Sequence, residues 1–236
     1  MHGNNEPRSS ESFKGTYQVH EVFHTIQGEG PFAGLPAVFV RLTGCHYRCH
    51  FCDTVWDDAK DPQLTTEGLV KLIKISSSKC KLVVITGGEP CRQDLAPILQ
   101  ELLSDGYKVQ VETAGTFWQD CLQWDGVTIV CSPKTSKVHR EILDCCNHWK
   151  YVVRAGDASE EDGLPVEGTQ KDPNGGPHRG SAMARPPKTR KANVYLQPCD
   201  EYDESRNKAN MKHMVDISMK YGYRAGLQLH KYFNVP

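Results

Sequence analysis

Apolar positions along the chain fall into two rhythms that alternate from end to end. Tyr17 to His24 interleaves apolar residues (Tyr17, Val19, Phe23) with polar ones, the period of a strand with one face buried. Ala37 to Leu42 and Leu82 to Ile85 are continuous apolar runs, as expected of strands buried on both faces. Further strands are predicted at 107–113, 127–131, 149–153, 193–197 and 223–229. Between them the period lengthens. Thr65 or Thr66 caps a helix carrying Leu69, Val70, Leu72 and Ile73. Residues 94–104 place Leu95, Ile98, Leu99 and Leu102 on one face, and Gly106 ends that helix. A helix is expected around 138–145, and another over 204–221 with Met211, Met214, Val215 and Ser218 on one side and Gly222 just past its end. Strand–helix alternation with buried strands predicts an α/β fold with a parallel sheet. About six of these strands include or follow the segment around residues 45–52, too few for an eight-fold barrel, so a partial (β/α)6-type barrel is expected.

Two stretches break the rhythm. Residues 1–16 offer almost nothing to bury and read as a mobile tail, leaving one core domain over 17–236. Residues 155–192 hold six glycines and five prolines, with Leu164, Val166 and Met183 as their large aliphatic residues. That composition predicts a flexible loop or insertion of low complexity. Its second half carries Arg179, Arg185, Lys188, Arg190 and Lys191 with no acid among them, which reads as a solvated basic loop rather than a nucleic-acid contact. The whole chain has a formal net charge of −1 and a pI near 6.8, which gives no bulk attraction to nucleic acid or to an anionic membrane. No apolar run reaches the roughly 18 residues of a membrane span, and the polar start lacks a signal core. Ten cysteines without such a signal point to reduced thiols or metal in the cytoplasm. Among them the adjacent Cys145 and Cys146 read as packing.

Three of the cysteines carry the chemistry. Cys45, Cys49 and Cys52 lie at spacing C-x3-C-x2-C, and the next cysteine is Cys80. Iron–sulfur clusters are normally held by four thiolates. Three thiolates on a four-iron cube leave one iron open, and an open position is where a substrate or cofactor binds. The residues between them (His46, Tyr47, Arg48, His50, Phe51) would shield the cluster. Cys49-x2-Cys52 alone also fits a redox dithiol or half a zinc site, with His46 or His50 available as a further ligand.

Other short motifs follow strand ends. Gln27-Gly28-Glu29-Gly30 is either a tight hairpin turn or a loop that lets a ligand approach. Arg41 ends a buried run, which is costly unless an anion pairs with it or its stem lies along the surface. Thr86-Gly87-Gly88-Glu89-Pro90 bares the backbone at a strand end, and Glu89 could accept from an ammonium group. Arg41, Thr86, Glu112, Ser132, Gln197 and His230 are all expected at the C-terminal ends of strands, where parallel α/β folds bind ligands.

Taken in order, these motifs identify a radical S-adenosylmethionine (SAM) protein, and the flanking residues resemble the 7-carboxy-7-deazaguanine synthase family. The resemblance is carried by Thr25-Ile26-Gln27-Gly28-Glu29-Gly30, Pro36 to Leu42, Cys52-Asp53-Thr54, Thr86 to Cys91, Val111 to Gly115, Ser132-Pro133-Lys134, Leu196-Gln197-Pro198 and His230-Lys231-Tyr232. It covers about residues 17 to 153 and 193 to 236; the stretch 155–192 has no firm counterpart.

The resemblance implies a partial (β/α)6-type radical SAM barrel with a [4Fe-4S] cluster on Cys45, Cys49 and Cys52. It implies SAM contacts at Phe51, Cys52, Asp53, Gly88, Ser132, Pro133, Lys134, Gln197 and Asp200, and Mg2+ at Thr54. Substrate contacts are implied at Ile26, Gln27, Gly28, Arg41, Thr86 and Pro236. The implied reaction takes 6-carboxy-5,6,7,8-tetrahydropterin to 7-carboxy-7-deazaguanine by radical ring contraction with loss of ammonia, on the route to 7-deazapurines such as queuosine. A homodimer and an electron donor such as a flavodoxin come with it. Another radical SAM enzyme, such as a glycyl-radical activator, would share the cysteines but not the combination of Gln27, Arg41 and Thr54. A non-enzymatic iron–sulfur or zinc protein would leave the strand-end residues unexplained.

Overall fold

In a computed structural model, residues 15–52, 54, 62–170 and 182–236 are described. Most of the stretch read as a mobile tail, together with Asp53 and Arg179, lies outside them.

The chain opens with a long hairpin. Strand β1 (Thr16–Ile26) runs antiparallel to β2 (Pro36–Leu42). A short strand β3 (Gln63–Thr65) pairs antiparallel with the outer side of β1 and leads into α1 (Thr66–Ser76). Thr65 caps α1, its hydroxyl accepting from Gly68 N–H at 3.1 Å, a contact of about 1 kcal/mol. Then come β4 (Leu82–Gly87), α2 (Ala96–Ser104), β5 (Lys108–Thr113), β6 (Val127–Cys131), α3 (Arg140–Cys145) and β7 (His148–Val153). After the irregular stretch follow β8 (Asn193–Pro198), α4 (Glu204–Tyr221), the two-residue β9 (Arg224–Ala225) and α5 (Leu229–Phe233).

The sheet order is β3-β1-β2-β4-β5-β6-β7-β8-β9, parallel from β2 onward. Seven strands, β2 and β4 to β9, run parallel, β9 being only two residues long, and the edges β3 and β9 do not pair. The fold is α/β, a partial barrel left open. β1 and β3 add two antiparallel pairings at one edge, which apolar runs alone do not specify, because pairing direction depends on the connection. The core is built from Val38, Val40, Val83, Val84, Val109, Val111, Trp149 and Leu196 in the strands, with Leu69, Ile73, Leu99, Leu102 and Met214 facing them from the helices. Tyr17, fully buried, also accepts a hydrogen bond on its hydroxyl from Ile98 N–H at 3.1 Å, satisfying a donor in the first turn of α2.

Two elements differ from the sequence reading. The strand expected over 223–229 shrinks to Arg224–Ala225, and His230 lies in α5 rather than at a strand end. β9 has only β8 beside it, and after Gly226 N–H bonds Leu196 O at 2.8 Å the chain leaves the sheet to cross the β1–β2 turn. The connection from β7 to β8 carries no helix among its described residues, yet it packs. Leu164 and Met183 are buried in the core. Arg185 clamps the stretch by ion-pairing Asp162 at 2.6 Å and donating to the carbonyls of Leu164, Pro165 and Met183. A few well-placed apolar anchors and one satisfied guanidinium hold the described residues of a segment whose average composition predicts mobility.

Candidate active site

The strand ends and the cysteine loop line a cavity of about 290 Å³. Register explains how residues distant in sequence meet there. In the parallel pair β2–β4, Arg41 stands opposite Thr86 and Leu42 opposite Gly87. The chain leaves β2 into the cysteine loop just where β4 ends in Gly87-Gly88. Gly87 has φ +132°, and a Cβ on it would lie 2.0 Å from Leu42 O; a Cβ on Gly88 would lie 2.1 Å from Gly44 O and 2.7 Å from the Cys45 Cβ. Only glycine lets the cysteine loop lie this close to the end of β4.

Cys45, Cys49 and Cys52 all line the cavity. Burial pushes the Cys45 thiol up to about 12, and burial raises Cys49 as well, with Lys134 opposing. Lys134 donates to Ser132 O and Oγ, each at 2.7 Å, and burial lowers its own pKa. Of the residues predicted from sequence, Gln27, Arg41, Phe51, Thr54, Thr86, Gly88, Ser132, Lys134, Gln197 and Asp200 line the same cavity. Ile26, Gly28, Pro133 and Pro236 are not among its lining residues. Gly28 instead accommodates α5, since a Cβ there would meet His230 Nδ1 at 2.8 Å and Leu229 N at 2.9 Å. The Pro236 backbone oxygen accepts from the Thr25 hydroxyl. Asp200 ion-pairs Lys231 at 2.7 Å, and that bond above all holds its carboxyl down to about 2.

One sequence expectation changes. Glu89 does not face the cavity. It is 1 % exposed, and its oxygens accept from Cys91 N–H at 3.1 Å, Thr113 Oγ at 2.7 Å and Ala114 N–H at 2.7 Å. Those bonds tie the ends of β4 and β5 together, so the carboxylate is a structural fastener and not an open acceptor. Arg41 already has an anion in this structure: its Nε lies 2.7 Å from Glu21 Oε1 across the hairpin, while Nη1 donates to Thr54 Oγ1 at 2.9 Å.

The sequence reading missed a buried triad. Lys150, in the middle of β7, reaches Glu29 in the hairpin turn and Glu112 on β5, the latter at 3.1 Å. Gln27 Nε2 donates to Glu112 at 3.1 Å and Gln228 Nε2 to Glu29 at 3.0 Å. Burial pushes Glu29 up, but the charge and hydrogen bond of Lys150 outweigh it and leave the carboxyl below its ordinary value. Burial lowers Lys150, and Glu112 and Glu29 more than reverse that. The signal was present: a lysine inside His148-Trp149-Lys150-Tyr151-Val152-Val153 sits in an apolar strand, where a charge survives only when paired.

The model of the Radical SAM superfamily matches residues 39–124, which span β2, the cysteine loop, β4 and β5. The 7-carboxy-7-deazaguanine synthase of Rhodospirillum rubrum is 36% identical over 241 residues and covers 100% of both chains. The chain belongs to the 7-carboxy-7-deazaguanine synthase family. A second member, from Rickettsia prowazekii, is 35% identical and covers 100% of this chain and 96% of its own. The crystal structure of QueE from Escherichia coli has a TM-score of 0.64 at 25% identity, covering 90% of this chain and 93% of that one. The alternating α/β fold is thus shared with a solved member of this family.

A four-iron cluster, which the superfamily implies, fits this donor set. The three thiols are soft ligands that line one open cavity. Among the described residues no three His, Cys, Asp or Glu side chains converge on one point.

Proposed function

We propose that the protein converts 6-carboxy-5,6,7,8-tetrahydropterin to 7-carboxy-7-deazaguanine, with loss of ammonia, as a step of 7-deazapurine synthesis. The observation that carries this reading is one cavity lined at once by the three cysteines, the strand-end residues Arg41, Thr86 and Gln197, and the Glu29–Lys150–Glu112 triad. A cluster held by these cysteines, with SAM bound beside it, would supply one-electron radical chemistry. The chain's own groups bind and orient. Cys45, Cys49 and Cys52 would hold the cluster. Phe51, Asp53, Gly88, Ser132, Pro133, Lys134, Gln197 and Asp200 would hold SAM. Arg41 offers a planar guanidinium to the substrate carboxylate, and the Glu29 and Glu112 carboxylates are acceptors for the N–H edge of a pterin. Ile26, Gln27, Gly28, Thr86 and Pro236 complete the proposed substrate contacts. Thr54 supplies an oxygen of the kind Mg2+ takes. Family membership also supports a homodimer, a flavodoxin-type electron donor and a cytoplasmic setting; among the described residues no helix is long and apolar enough to cross a membrane.

The test is anaerobic turnover. The reconstituted protein is given dithionite, SAM, Mg2+ and the carboxytetrahydropterin, and mass spectrometry looks for 7-carboxy-7-deazaguanine. Product that vanishes in Cys49→Ala supports the reading. SAM cleavage without product rejects the substrate and keeps the superfamily chemistry. An intact cluster that never cleaves SAM turns the reading toward electron transfer.

A further inference from the structure

The irregular connection from β7 to β8 reaches the cysteine loop with two side chains that the function above does not use. Thr169 Oγ1 lies 3.0 Å from Cys49 Sγ, and Gln170 Nε2 donates to the same sulfur at 3.6 Å. Both are held in place. Thr169 is 4 % exposed; its N–H donates to Lys134 O at 2.9 Å and its carbonyl accepts from His50 N–H at 3.2 Å. Gln170 Oε1 accepts from Arg48 N–H at 2.9 Å, which fixes the amide with its NH2 toward Cys49. The Cys49–Gln170 backbone bridge locks the two loops in register.

We propose that Thr169 and Gln170 set the reduction potential of the cluster by hydrogen-bonding its Cys49 ligand. The inference rests on the reading of Cys45, Cys49 and Cys52 as cluster ligands. A thiolate bound to iron has no proton, so in the 3.0 Å pair the threonine hydroxyl is the donor. Its other acceptor, Lys134 O, is farther off at 3.4 Å. Donors to a ligating sulfur draw electron density from it and favour the more electron-rich, reduced cluster. Removing them lowers the potential. The cysteine loop therefore does not tune its cluster alone: a segment about 120 residues away in sequence supplies two donors to one corner.

The experiment is an EPR-monitored redox titration of the full chain, reconstituted anaerobically, with iron and sulfide quantified. Thr169→Val and Gln170→Leu each remove a donor; Thr169→Ser keeps the hydroxyl. The midpoint is expected to fall in the Val and Leu variants by about a tenfold change in the reduced-to-oxidised ratio, about 59 mV for one electron, and to stay at the wild-type value in the Ser variant. The midpoint is read on whatever fraction holds a cluster, so partial loading does not hide it. If Thr169→Val takes up no cluster, Gln170→Leu decides. A wild-type midpoint in Thr169→Val, or in Gln170→Leu where that variant decides, overturns the proposal even if activity or Tm falls. A wild-type chain with no four-iron cluster overturns the ligand reading as well, so the two failures are distinct.

Discussion

At the scale of single residues, Lys150 decides whether two buried carboxylates can stay charged beside the cavity. Replacing it with methionine keeps most of the volume and leaves Glu29 and Glu112 without their cation. Breaking a buried pair from one side costs about 3–5 kcal/mol, so chemical denaturation of Lys150→Met should show a loss of that order. Adding Glu112→Gln should recover part of it, because the three groups act as one network; strict additivity would mean that they do not. The same network sets a pH window. Glu29 has its folded pKa lowered, so its contribution is present above the unfolded carboxyl value, about 4.3, and is lost as pH falls through the folded one. Lys150 has its folded pKa raised, so its contribution is present below the unfolded lysine value, about 10.4, and is lost as pH rises through the folded one. The contribution of this network to wild-type stability should therefore be flat from about pH 5 to 10 and fall on either side. In Lys150→Met, by contrast, burial raises the Glu29 carboxyl without the lysine to oppose it, so the variant should gain stability as pH falls and the gap should narrow toward acid. Thr54 is a different case. Its hydroxyl is buried and accepts from Arg41. If it also ligates Mg2+, Thr54→Val should lose about tenfold in kcat/KM, the low end for a weakened metal site, and should lose the Mg2+ response with it. A Val variant that still responds to Mg2+ removes Thr54 from the metal site.

At the scale of elements, the regular units were legible because their signals are local. Thr65 capping α1 and Gly222 in the left-handed conformation (φ +76°) ending α4 lie where the sequence puts them. What stayed hidden depends on partners far along the chain. Glu89 reads locally as an open acceptor because its donors, the Thr113 hydroxyl and the N–H of Ala114, lie on another strand end. The Lys150 triad joins β7, β5 and the hairpin turn, and no local period encodes such a meeting. The β7–β8 connection was read from average composition, which cannot register that Leu164 and Met183 are anchors and Arg185 a clamp. Its packing has a measurable consequence. Leu164 is 2 % exposed, so Leu164→Ala should destabilise the protein by about 2–3 kcal/mol, as for other buried leucines that can partly relax. A loss under about 0.5 kcal/mol, the size of an ordinary surface change, would mean that the segment lies on the fold without being part of its core.

At the scale of the whole molecule, the open barrel raises the question of what covers the side where β3 and β9 fail to meet. The structure answers with the β1–β2 turn and the C-terminal residues. Gln228 bonds Glu29, the Thr25 hydroxyl bonds the Pro236 backbone oxygen, and α5 crosses directly over Gly28. His230 and Lys231 line the cavity from this cover, and Lys231 ties it to Asp200 at the end of β8. The cover thus connects one edge of the sheet to the other without strand pairing, and Gly28 is the point at which it is thinnest. Alanine there must push away the Leu229 backbone nitrogen, which cannot swing aside as a flexible side chain would. Gly28→Ala should therefore displace α5 while leaving the cysteine loop alone. The expected outcome is a rise in KM for the substrate and a fall of about tenfold in kcat/KM, about 1.4 kcal/mol of transition-state stabilisation, with iron content unchanged. Limited proteolysis should cut the variant faster within 226–236. A variant with wild-type KM and wild-type protease resistance would mean that α5 rests on the barrel without closing it, and that the substrate is enclosed by the strand ends and the cysteine loop alone.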